Sequence, residues 1–549
     1  MPNRVRLTAG RAALTAIALA AAIALAEAVL APPRPLRAAR LDGPRRITVA
    51  GAFHVHTDAS PDSSATIDDA IGAAARAGLQ FVVATEHGDG TRRPRPAEYR
   101  SGVLWIDGVE VSTADGHYAT VGMKQAPYPL AGDARDVVED VARLGGFGVA
   151  AHGDSPKSEA QWRDWRVPVD GLEWLNLDSV WRDASPVQLT RAAFTYWFRP
   201  AETVASLTSR PSVTLARLDT IGATRHLVAL AATDAHGRLM PSYESCFRAF
   251  STRVELERPL TGNAAADAAV VVAALRAGHH FTVLDALAAP GAFEFTASSN
   301  GVTVTEGDRL PAGSRPTLAV RVAAPADSTS VLLRNGVVLQ ESKAAAWEYA
   351  ADGEPGAYRV EVRVPHAPGT PPVPWILSNP IFVGLPEASG AETQRPSSPI
   401  ETVPPLWHIE KEASSSGDVQ APTATSVVLR YRLGAGPPAN QFVAAGTPAP
   451  AALPRAQAIG FNVRASRPLR FFVELRAPGD RRWERSVYAD GTAHSVTIPF
   501  DEMRPVEPNA ASRPDLKSVD AVLIVVAIAN TKPGTDGEIS VSDFSYRRF

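Results

Sequence analysis

Two histidines two positions apart, His54 and His56, follow a short apolar run near the start of the chain. On a β-strand, residues i and i+2 point to the same face, so the two imidazoles are expected to lie side by side. Neutral imidazole is a good ligand for zinc and other first-row metals. The chain then breaks at Ser60-Pro61, which lets the Asp62 carboxylate fold back toward the pair. This stretch is therefore a candidate metal site, and its weight depends on further ligands.

Residues of the same chemical types follow four later apolar runs. Each run is typical of a buried parallel strand, because helices cover both faces of such a sheet. In α/β proteins the chemistry lies at the carboxyl ends of these strands. We therefore expect all five strand ends to meet in one site. The additional ligands are His87 after residues 81–85, Glu110 and His117 after residues 105–109, His152 after residues 147–151, and Asp234 with His236 after residues 227–233.

The ordered motifs resemble those of the polymerase and histidinol phosphatase (PHP) metallohydrolases. They read H-x-H-T-x-x-S-x-D from His54, then T-E-H-G, G-x-E followed by G-H, A-H, and T-D-A-H ending at His236. The resemblance covers about residues 49–285. It implies a distorted (β/α)7 barrel with metal ions at one mouth. One departure is Glu86, which stands where the family usually has Asp and is not a ligand in the family's scheme.

The same resemblance implies a cofactor of two to three divalent ions of zinc, manganese or iron. Glu110 would bridge two of the ions, and catalysis is expected to depend on Glu110, Asp234 and His152. The implied ligand groups are His54, His56, Glu110 and Asp234 for one ion; Glu110, His117 and His152 for a second; and Asp62, His87 and His236 for a third.

Such a cluster predicts hydrolysis. Neighbouring ions can share a bridging hydroxide, because each lowers the pKa of bound water from about 15.7 toward roughly 7. The hydroxide can then attack phosphorus or a carbonyl carbon without a Ser or Cys nucleophile, and the sequence has no serine elbow or Walker-type loop.

The substrate is expected to be a small-molecule ester. The PHP resemblance favours phosphoesters. An export segment, a barrel and β domains in this order also resemble the carbaryl-hydrolase type of the superfamily, whose members cleave carbamate esters, so carbamate and carboxyl esters remain an alternative. A third hypothesis, of another class, is a glycan-binding surface protein with a vestigial barrel. Retention of every ligand-type residue argues against it.

Four residues near the motifs are candidates for substrate contacts. Trp162 and Trp165 belong to a tryptophan-rich segment, which either packs an insertion onto the barrel or lines the mouth and stacks on the substrate. Lys157 and Arg238, together with Arg182 and Arg225, lie close to ligand motifs in the sequence and are candidates to bind a phosphate, although a surface charge is the favoured interpretation for any single one.

Composition limits the class of protein. The chain has 549 residues, which predicts several domains. A net charge of −3, from 55 basic and 58 acidic residues, gives no electrostatic signature of nucleic-acid binding. With a single cysteine, no disulfide can form within the chain.

Residues 1–31 have the pattern of an export signal or a membrane anchor. Arg4, Arg6 and Arg11 precede a weakly apolar run, residues 12–31, which contains Glu27 and ends in small residues suited to cleavage. The run is close to the length of a membrane span. We therefore expect an exported protein, periplasmic or extracellular, with the segment either cleaved or retained.

The pattern beyond the export segment predicts a multidomain fold, an α/β barrel followed by two all-β sandwiches. Thr66 and Gly78 have the types and positions of a helix start and a helix stop in the barrel. Asn335-Gly336 between two apolar runs indicates a β-hairpin. The last domain faintly resembles carbohydrate-binding jelly rolls. Trp483 and Tyr488 are candidate contacts for a glycan or the cell envelope, although a structural or docking role is favoured for them. The predicted boundaries are 45–287 for the barrel, 288–385 for the first sandwich, 386–405 for a linker and 406–549 for the second sandwich.

Overall fold

The computed structural model describes residues 31–39, 46–288, 291–386, 396–400, 405–436, 441–507, 511–529 and 531–549, together with residue 15. All but residues 15 and 31 of the predicted export segment lie outside this set. Within the described part of the chain, no helix has both the length and the apolar character needed to cross a membrane. The chain divides into two compact units: Met1–Gly88, Pro94–Lys124 and Val141–Ala388 form the first, and Asp89–Arg93, Gln125–Asp140 and Ser389–Phe549 form the second.

The first unit contains a curved half-barrel sheet. Its strands are hydrogen-bonded in the order β10-β9-β1-β2-β4-β5-β6-β7-β8, with β3 added at β4. Strands β1, β2 and β4 pair in parallel, as do β6, β7 and β8. The strands are β1 (Ile47–Val55), β2 (Phe81–His87), β3 (Glu98–Arg100), β4 (Val103–Thr113), β5 (Gly116–Val121), β6 (Phe147–Ala150), β7 (Gly171–Asn176), β8 (Val228–Ala232), β9 (Ser251–Leu256) and β10 (His280–Val283).

The sheet closes on itself only at the carboxyl end of β1. The first half of β1, Ile47 to Gly51, pairs antiparallel with β9. Beyond that point the Thr233 amide donates to the Phe53 carbonyl at 2.9 Å, and Val55 forms an isolated bridge with Ala235. Where the resemblance implied a distorted (β/α)7 barrel, the structure has a half-barrel sheet, and β8 approaches β1 beside His54 and His56.

The helix at residues 67–77 begins and ends as the sequence predicts. The Thr66 hydroxyl and the Asp69 carboxylate form a reciprocal capping box, and Gly78 ends the helix in the left-handed conformation with φ 79°. The helices in the described chain are α1 (Ile67–Ala77), α2 (Ala134–Arg143), α3 (Leu177–Asp183), α4 (Pro186–Thr195), α5 (Pro200–Ser206), α6 (Ser212–Gly222), α7 (Tyr243–Ala249) and α8 (Ala264–Ala277).

The all-β region that follows is continuous with the half-barrel. Strand β19 (Ile376–Ser378) pairs antiparallel with β10, so a single sheet contains strands from both sides of the predicted domain boundary between residues 287 and 288. Both sides of that boundary belong to the same compact unit. Asn335 and Gly336 both have positive φ, at 50° and 81°, which confirms the hairpin. The strands are β11 (Phe293–Ser299), β12 (Val302–Thr305), β13 (Arg309–Leu310), β14 (Thr317–Val322), β15 (Thr329–Arg334), β16 (Val337–Ser342), β17 (Ala346–Ala350), β18 (Gly356–Arg363), β19 (Ile376–Ser378) and β20 (Ile381–Val383).

A buried ion-pair network fastens this all-β region to helix α6. Arg359 on β18 donates two hydrogen bonds to Asp219 of α6, at 2.7 and 2.8 Å, and one to Glu361 at 2.6 Å. Arg210 donates to both oxygens of Glu361, at 2.5 and 2.7 Å. The network therefore pairs two guanidinium groups with two carboxylates.

The second unit contains two six-stranded sheets around one hydrophobic core, to which Val427 and Ile459 of one sheet and Val443 and Phe471 of the other contribute. Two short 3-10 helices, Leu453–Arg455 and Phe500–Glu502, accompany the strands. The strands are β21 (Ser398–Pro399), β22 (His408–Lys411), β23 (Ser416–Gln420), β24 (Val427–Arg432), β25 (Phe442–Pro448), β26 (Ala458–Ala465), β27 (Leu469–Ala477), β28 (Arg481–Ala489), β29 (His494–Pro499), β30 (Arg504–Pro505), β31 (Ala521–Ala527) and β32 (Asp536–Arg548).

Candidate metal centre

The structure brings all nine predicted ligand side chains into one cluster. They form four overlapping groups, and in each group the ligand atoms lie within 4.8 Å of one another. Side chains so distant in sequence meet because the carboxyl ends of the parallel strands face one edge of the sheet. The groups are His56, Asp62, His87 and His236; His54, His56 and Glu110; His54, His152 and Asp234; and His87, Glu110 and His117.

His54 and His56 lie at the end of β1, at an irregular point of the strand. The register with β2 shifts between Phe53 and Val55, and His54 has a positive φ of 64°. Their Nε2 atoms are 3.0 Å apart, and both rings are fully buried. The two imidazoles therefore meet as expected, although the strand between them is not regular.

Glu110 and His117 reach the cluster from a β-hairpin. The prediction that Glu110 follows a strand end is wrong, because β4 continues to Thr113 and turns into the antiparallel strand β5. The turn needs Gly116, whose φ is 119° and where a Cβ would collide with the Gln161 carbonyl. The His117 Nδ1 atom lies 2.8 Å from Glu110 Oε1.

His152, Asp234 and His236 come from the chain just beyond β6 and β8. His152 and Asp234 also have positive φ, at 56° and 45°. Non-glycine residues adopt this conformation at a cost of about 1–3 kcal/mol each, and such strain concentrates at functional sites. His152 Nε2 lies 3.2 Å from Glu110 Oε1 and 3.6 Å from Asp234 Oδ2.

The cluster opens to solvent on the side of Asp62 and His87. The side chain of Asp62 is 44% exposed and that of His87 is 23% exposed, whereas Glu110 is 1% exposed. Asp62 Oδ2 lies 3.0 Å from His236 Nε2 and 3.4 Å from His87 Nε2. A substrate would therefore approach from this side.

Residues outside the predicted ligand set orient the histidine rings. Glu173 of β7 lies 2.5 Å from His54 Nδ1 and also accepts from the His152 amide at 3.0 Å. The Ser60 hydroxyl donates to Glu86 and accepts from His56 Nδ1 at 3.0 Å. Ser179 Oγ lies 3.2 Å from His152 Nδ1. A charged residue within the apolar run 171–175 was the available signal for Glu173.

Glu86 belongs to this orienting set. Its carboxylate accepts from the Thr57 amide at 2.9 Å, from the Thr57 hydroxyl at 2.5 Å and from the Ser60 hydroxyl at 2.7 Å. Through Ser60 it holds the His56 ring and the His87 backbone amide. The Glu86 side chain thus shapes the loop that carries the ligands.

The hydrogen-bond partners of the histidine rings are compatible with metal cations in the cluster. A neutral imidazole carries one proton. Where Nδ1 uses it to donate to a carboxylate, to a carbonyl or to a hydroxyl whose own proton is donated elsewhere, Nε2 is left with a lone pair. This applies to His54, to His56 and to His236, whose Nδ1 donates to the Asp234 carbonyl at 2.8 Å.

Those three lone pairs face other electron-pair donors. His236 Nε2 faces Asp62 at 3.0 Å, and His56 Nε2 faces Asp234 at 3.2 Å. Glu110 Oε2 is buried without a hydrogen-bond partner, 3.3 Å from His54 Nε2. With neutral rings, acceptors face acceptors, and positive charge between them, from protons on the rings or from divalent metal ions, would stabilise the arrangement.

The field at the cluster favours positive charge. Burial lowers the pKa of His54, but the carboxylates of Glu173, Asp234 and Glu110 outweigh it and raise that pKa well above its ordinary value. In the same way Asp234 and Glu110 raise the pKa of His152 to about 9 against burial. The field that favours protonated imidazole also attracts metal cations.

The predicted tryptophan contacts are only partly compatible with the structure. Trp162 is 1% exposed, donates to the Asp164 carbonyl at 3.0 Å and packs against Tyr118. The hypothesis that Trp162 lines the mouth is therefore wrong, because its ring completes the core. Trp165 is half-buried, with the Arg217 guanidinium 5.8 Å from its ring centre.

Of the four basic residues predicted to bind a phosphate, two lie next to the cluster. Lys157 is exposed, and Arg225 donates to the carbonyl of Val169, which precedes β7, far from the carboxyl end of that strand. Arg182 and Arg238 both form ion pairs with Asp178, and Arg182 also interacts electrostatically with Asp234 and Asp62. Arg182 and Arg238 are thus the cations next to the cluster, around a shared carboxylate.

A cleft of about 870 Å³ borders the orienting residues Glu173, Asn176 and Ser179. A second cavity of about 20 Å³ touches Asp234 and His236 and is lined by Trp181 and Arg238. Drug-sized ligands need about 300–1,000 Å³, so only the first has room for one. None of the nine ligand side chains lines that cleft.

Of the two aromatic residues predicted to contact glycans in the second unit, Trp483 does not present a stacking face. Trp483 is 1% exposed and donates to the Ala511 carbonyl at 2.7 Å. Tyr488 is half-buried, and its hydroxyl donates to Asp490 at 3.0 Å. The alternating pattern of β28 concealed that Trp483 faces the core.

A scan of protein-family models found no match to this chain, and neither did a search of curated proteins. Among solved structures, the chain is similar to a two-domain protein containing a predicted PHP-like metal-dependent phosphoesterase from Bacteroides vulgatus. That match has 14% identity and a TM-score of 0.29, and it covers 64% of this chain and 99% of the other.

Two carbohydrate-binding modules are also similar to part of the chain. One is the family 11 module of a cellulosomal cellulase from Clostridium thermocellum, with 14% identity, 26% of this chain and 86% of that chain covered, and a TM-score of 0.21. The other is a family 29 module, with 9% identity, 28% and 91% covered, and a TM-score of 0.18.

Proposed function

We propose that this protein is a metal-dependent hydrolase of the PHP type and that its half-barrel is a distorted (β/α)7 barrel. The observation that carries the proposal is the convergence of nine His, Asp and Glu side chains at one edge of the sheet. Core packing does not require such a cluster, since burying ionisable groups costs free energy unless they are paired.

The donor set suits two to three divalent ions of zinc, manganese or iron, because imidazole and carboxylate together bind these metals. Glu110 is the natural shared ligand, since Oε1 lies 2.8 Å from His117 and Oε2 lies 3.1 Å from His87. Bound ions would lower the pKa of water and stabilise developing negative charge.

The remaining chemistry belongs to residues of the chain. Glu173, Ser60 and Ser179 fix the ring orientations of His54, His56 and His152. Asp62 and His87 form the exposed rim, so they meet the substrate first. Arg182 lies close enough to the rim to interact with Asp62, so it can attract and orient an anionic substrate.

A phosphoester is the substrate class that these features support best. The two arginines beside Asp178 suit a phosphate, which Arg binds through paired hydrogen bonds. A carbamate or carboxyl ester on the same cluster is the alternative drawn from the sequence, but the burial of Trp162 removes one of the two rings proposed to hold an aryl leaving group. A glycan-binding protein with a vestigial barrel is disfavoured by the retained cluster.

The test is a substrate panel on the metal-loaded full chain, with aryl phosphate, phosphodiester, carboxylate ester and carbamate ester assayed side by side. Arg182→Ala should raise KM for the phosphate substrates about tenfold and leave KM for neutral esters unchanged. Arg191→Ala, an exposed arginine on α4, is the matched control. Turnover of carbamates alone would replace the phosphoester proposal, and no turnover of any ester would reject the hydrolase.

Export, with residues 1–31 as the signal or anchor, and glycan or cell-envelope contact through the C-terminal β domain are further parts of this proposal. They rest on the sequence pattern. Fractionation of cells producing the full chain tests the first part, and a glycan array with the purified protein tests the second.

A further inference from the structure

Three aromatic side chains at the end of helix α4 project outward. Phe194 is 67% exposed, Trp197 is 68% exposed and Phe198 is 40% exposed. We call these three residues the aromatic tip. Val187, seven positions before Phe194 and therefore on the same helix face, is also exposed, and the polar residues Thr190 and Arg191 lie between them. Contiguous exposed apolar side chains of this kind mark interaction surfaces, unlike isolated ones.

The aromatic tip is held firmly from below. Between Phe194 and Trp197, Tyr196 is buried and its hydroxyl contacts Ser242 and Ser245 at 3.0 and 2.9 Å. The chain turns tightly after the helix, with the Phe198 and Arg199 amides both donating to the Thr195 carbonyl. The three aromatic rings are therefore directed to solvent by a packed turn.

The N-terminal part of the chain joins the first unit next to this tip. The Arg199 guanidinium, directly after Phe198, donates to the Pro32 carbonyl. From there the chain is fixed by two backbone bonds, Leu36 to Leu287 at 3.0 Å and Ala39 to Ala324 at 3.1 Å. The apolar run of residues 12–31 thus ends beside the aromatic tip.

We propose that the aromatic tip is a membrane-contacting surface that enters the interface of a bilayer containing anionic phospholipid. Trp and Phe side chains contribute apolar area to such contacts, and Trp is enriched at the lipid headgroup level. Arg191 is exposed on α4, one turn before Phe194. Arg34 and Arg37 are exposed in the stretch that follows Pro32. These arginines suit anionic headgroups. If the N-terminal segment is retained, it would hold the aromatic tip at the bilayer. If the segment is cleaved, the aromatic tip would bind the bilayer without it.

The experiment uses the purified full chain with vesicles of phosphatidylethanolamine and phosphatidylglycerol. F194Q/W197Q/F198Q should weaken partitioning into vesicles by about tenfold or more, because the free energy of membrane binding scales with the apolar area that is buried in the bilayer. V302T/V337T/V338T, which changes three exposed valines elsewhere in the first unit, should partition like the parent. Thermal unfolding of both variants checks that they fold.

A second measurement is independent of the total affinity, which a retained anchor would dominate. Lipids with brominated acyl chains should quench the tryptophan fluorescence of the parent more than that of the conservative variant W197F. The difference should equal the contribution of Trp197 to the quenched fluorescence. Equal quenching of the two would overturn the proposal, even if the triple variant fails to fold. Self-association that the triple variant loses, with no quenching of Trp197, would assign the tip to a second copy of the chain and also overturn it.

Discussion

Two clusters of buried ionisable groups lie in the first unit, and they are built in opposite ways. In the network of Arg210, Asp219, Arg359 and Glu361, guanidinium donors match carboxylate acceptors at 2.5–2.8 Å. In the cluster at the strand ends, histidine nitrogens and carboxylate oxygens face one another at 2.8–3.6 Å, and Glu110 Oε2 has no hydrogen-bond partner. The first cluster is complete without a ligand, whereas the second requires added positive charge.

The backbone shows the same difference. His54, His152 and Asp234 have positive φ, whereas Arg210, Asp219, Arg359 and Glu361 do not. Strain is retained where a side chain must reach a fixed position. The comparison therefore separates a cluster that stabilises the fold from one built to bind and react, and the four predictions below test that separation.

Glu110→Gln should have the largest effect. It removes the carboxylate shared by most of the cluster, so activity should fall about a thousandfold or more and metal content should fall with it. Activity assays and elemental analysis measure the two effects. Glu341→Gln, at an exposed glutamate of the same unit, should change neither. A fully active Glu110 variant would show that the ligand scheme is wrong.

Arg359→Met should destabilise the fold without affecting the metals. It leaves Asp219 and Glu361 short of a partner in a buried environment, which costs about 3–5 kcal/mol. Urea unfolding gives the free-energy change, and elemental analysis should show unchanged metal content. A loss below about 1 kcal/mol would mean that the network contributes nothing beyond packing.

Acid should reveal the contribution of Glu361. Burial raises its pKa, but hydrogen bonds from Arg210 and the charge of Arg359 lower it to about 2, against 4.5 ordinarily. A lowered pKa gives stability that is complete above about pH 4.5 and is lost as the pH falls toward 2, on the order of 3 kcal/mol. Urea unfolding across this range should show a steeper pH dependence for the parent than for Glu361→Gln. Parallel curves would contradict the pairing.

Glu173→Gln should have the smallest effect of the four. The carboxylate orients His54 without belonging to the predicted ligands, so metal affinity should fall about 10–100-fold with the fold intact. Competition with a chelator measures the affinity, and Glu348→Gln on the exposed face of β17 is the matched control. An unchanged affinity would reduce Glu173 to a packing role.

The strand-end ligands were predictable because parallel strands read as apolar runs and their carboxyl ends meet. The helix caps at Thr66 and Gly78 could be predicted equally well, since each depends on a single residue type. The sequence pattern left Trp162 and Trp483 open between packing and ligand contact, because periodicity does not show what a side chain touches, and both prove to be buried. The hairpin that carries His117 depends on a single glycine turn, and the role of Glu173 depends on a tertiary contact across 119 positions.

The central claim is that the strand-end cluster holds metal ions. Elemental analysis of the purified full chain, after dialysis against zinc, manganese or iron and removal of free metal, tests it most directly. We predict two to three equivalents per chain, falling in Glu110→Gln and unchanged in Arg359→Met. A folded protein that retains no metal under any of these conditions would contradict the claim.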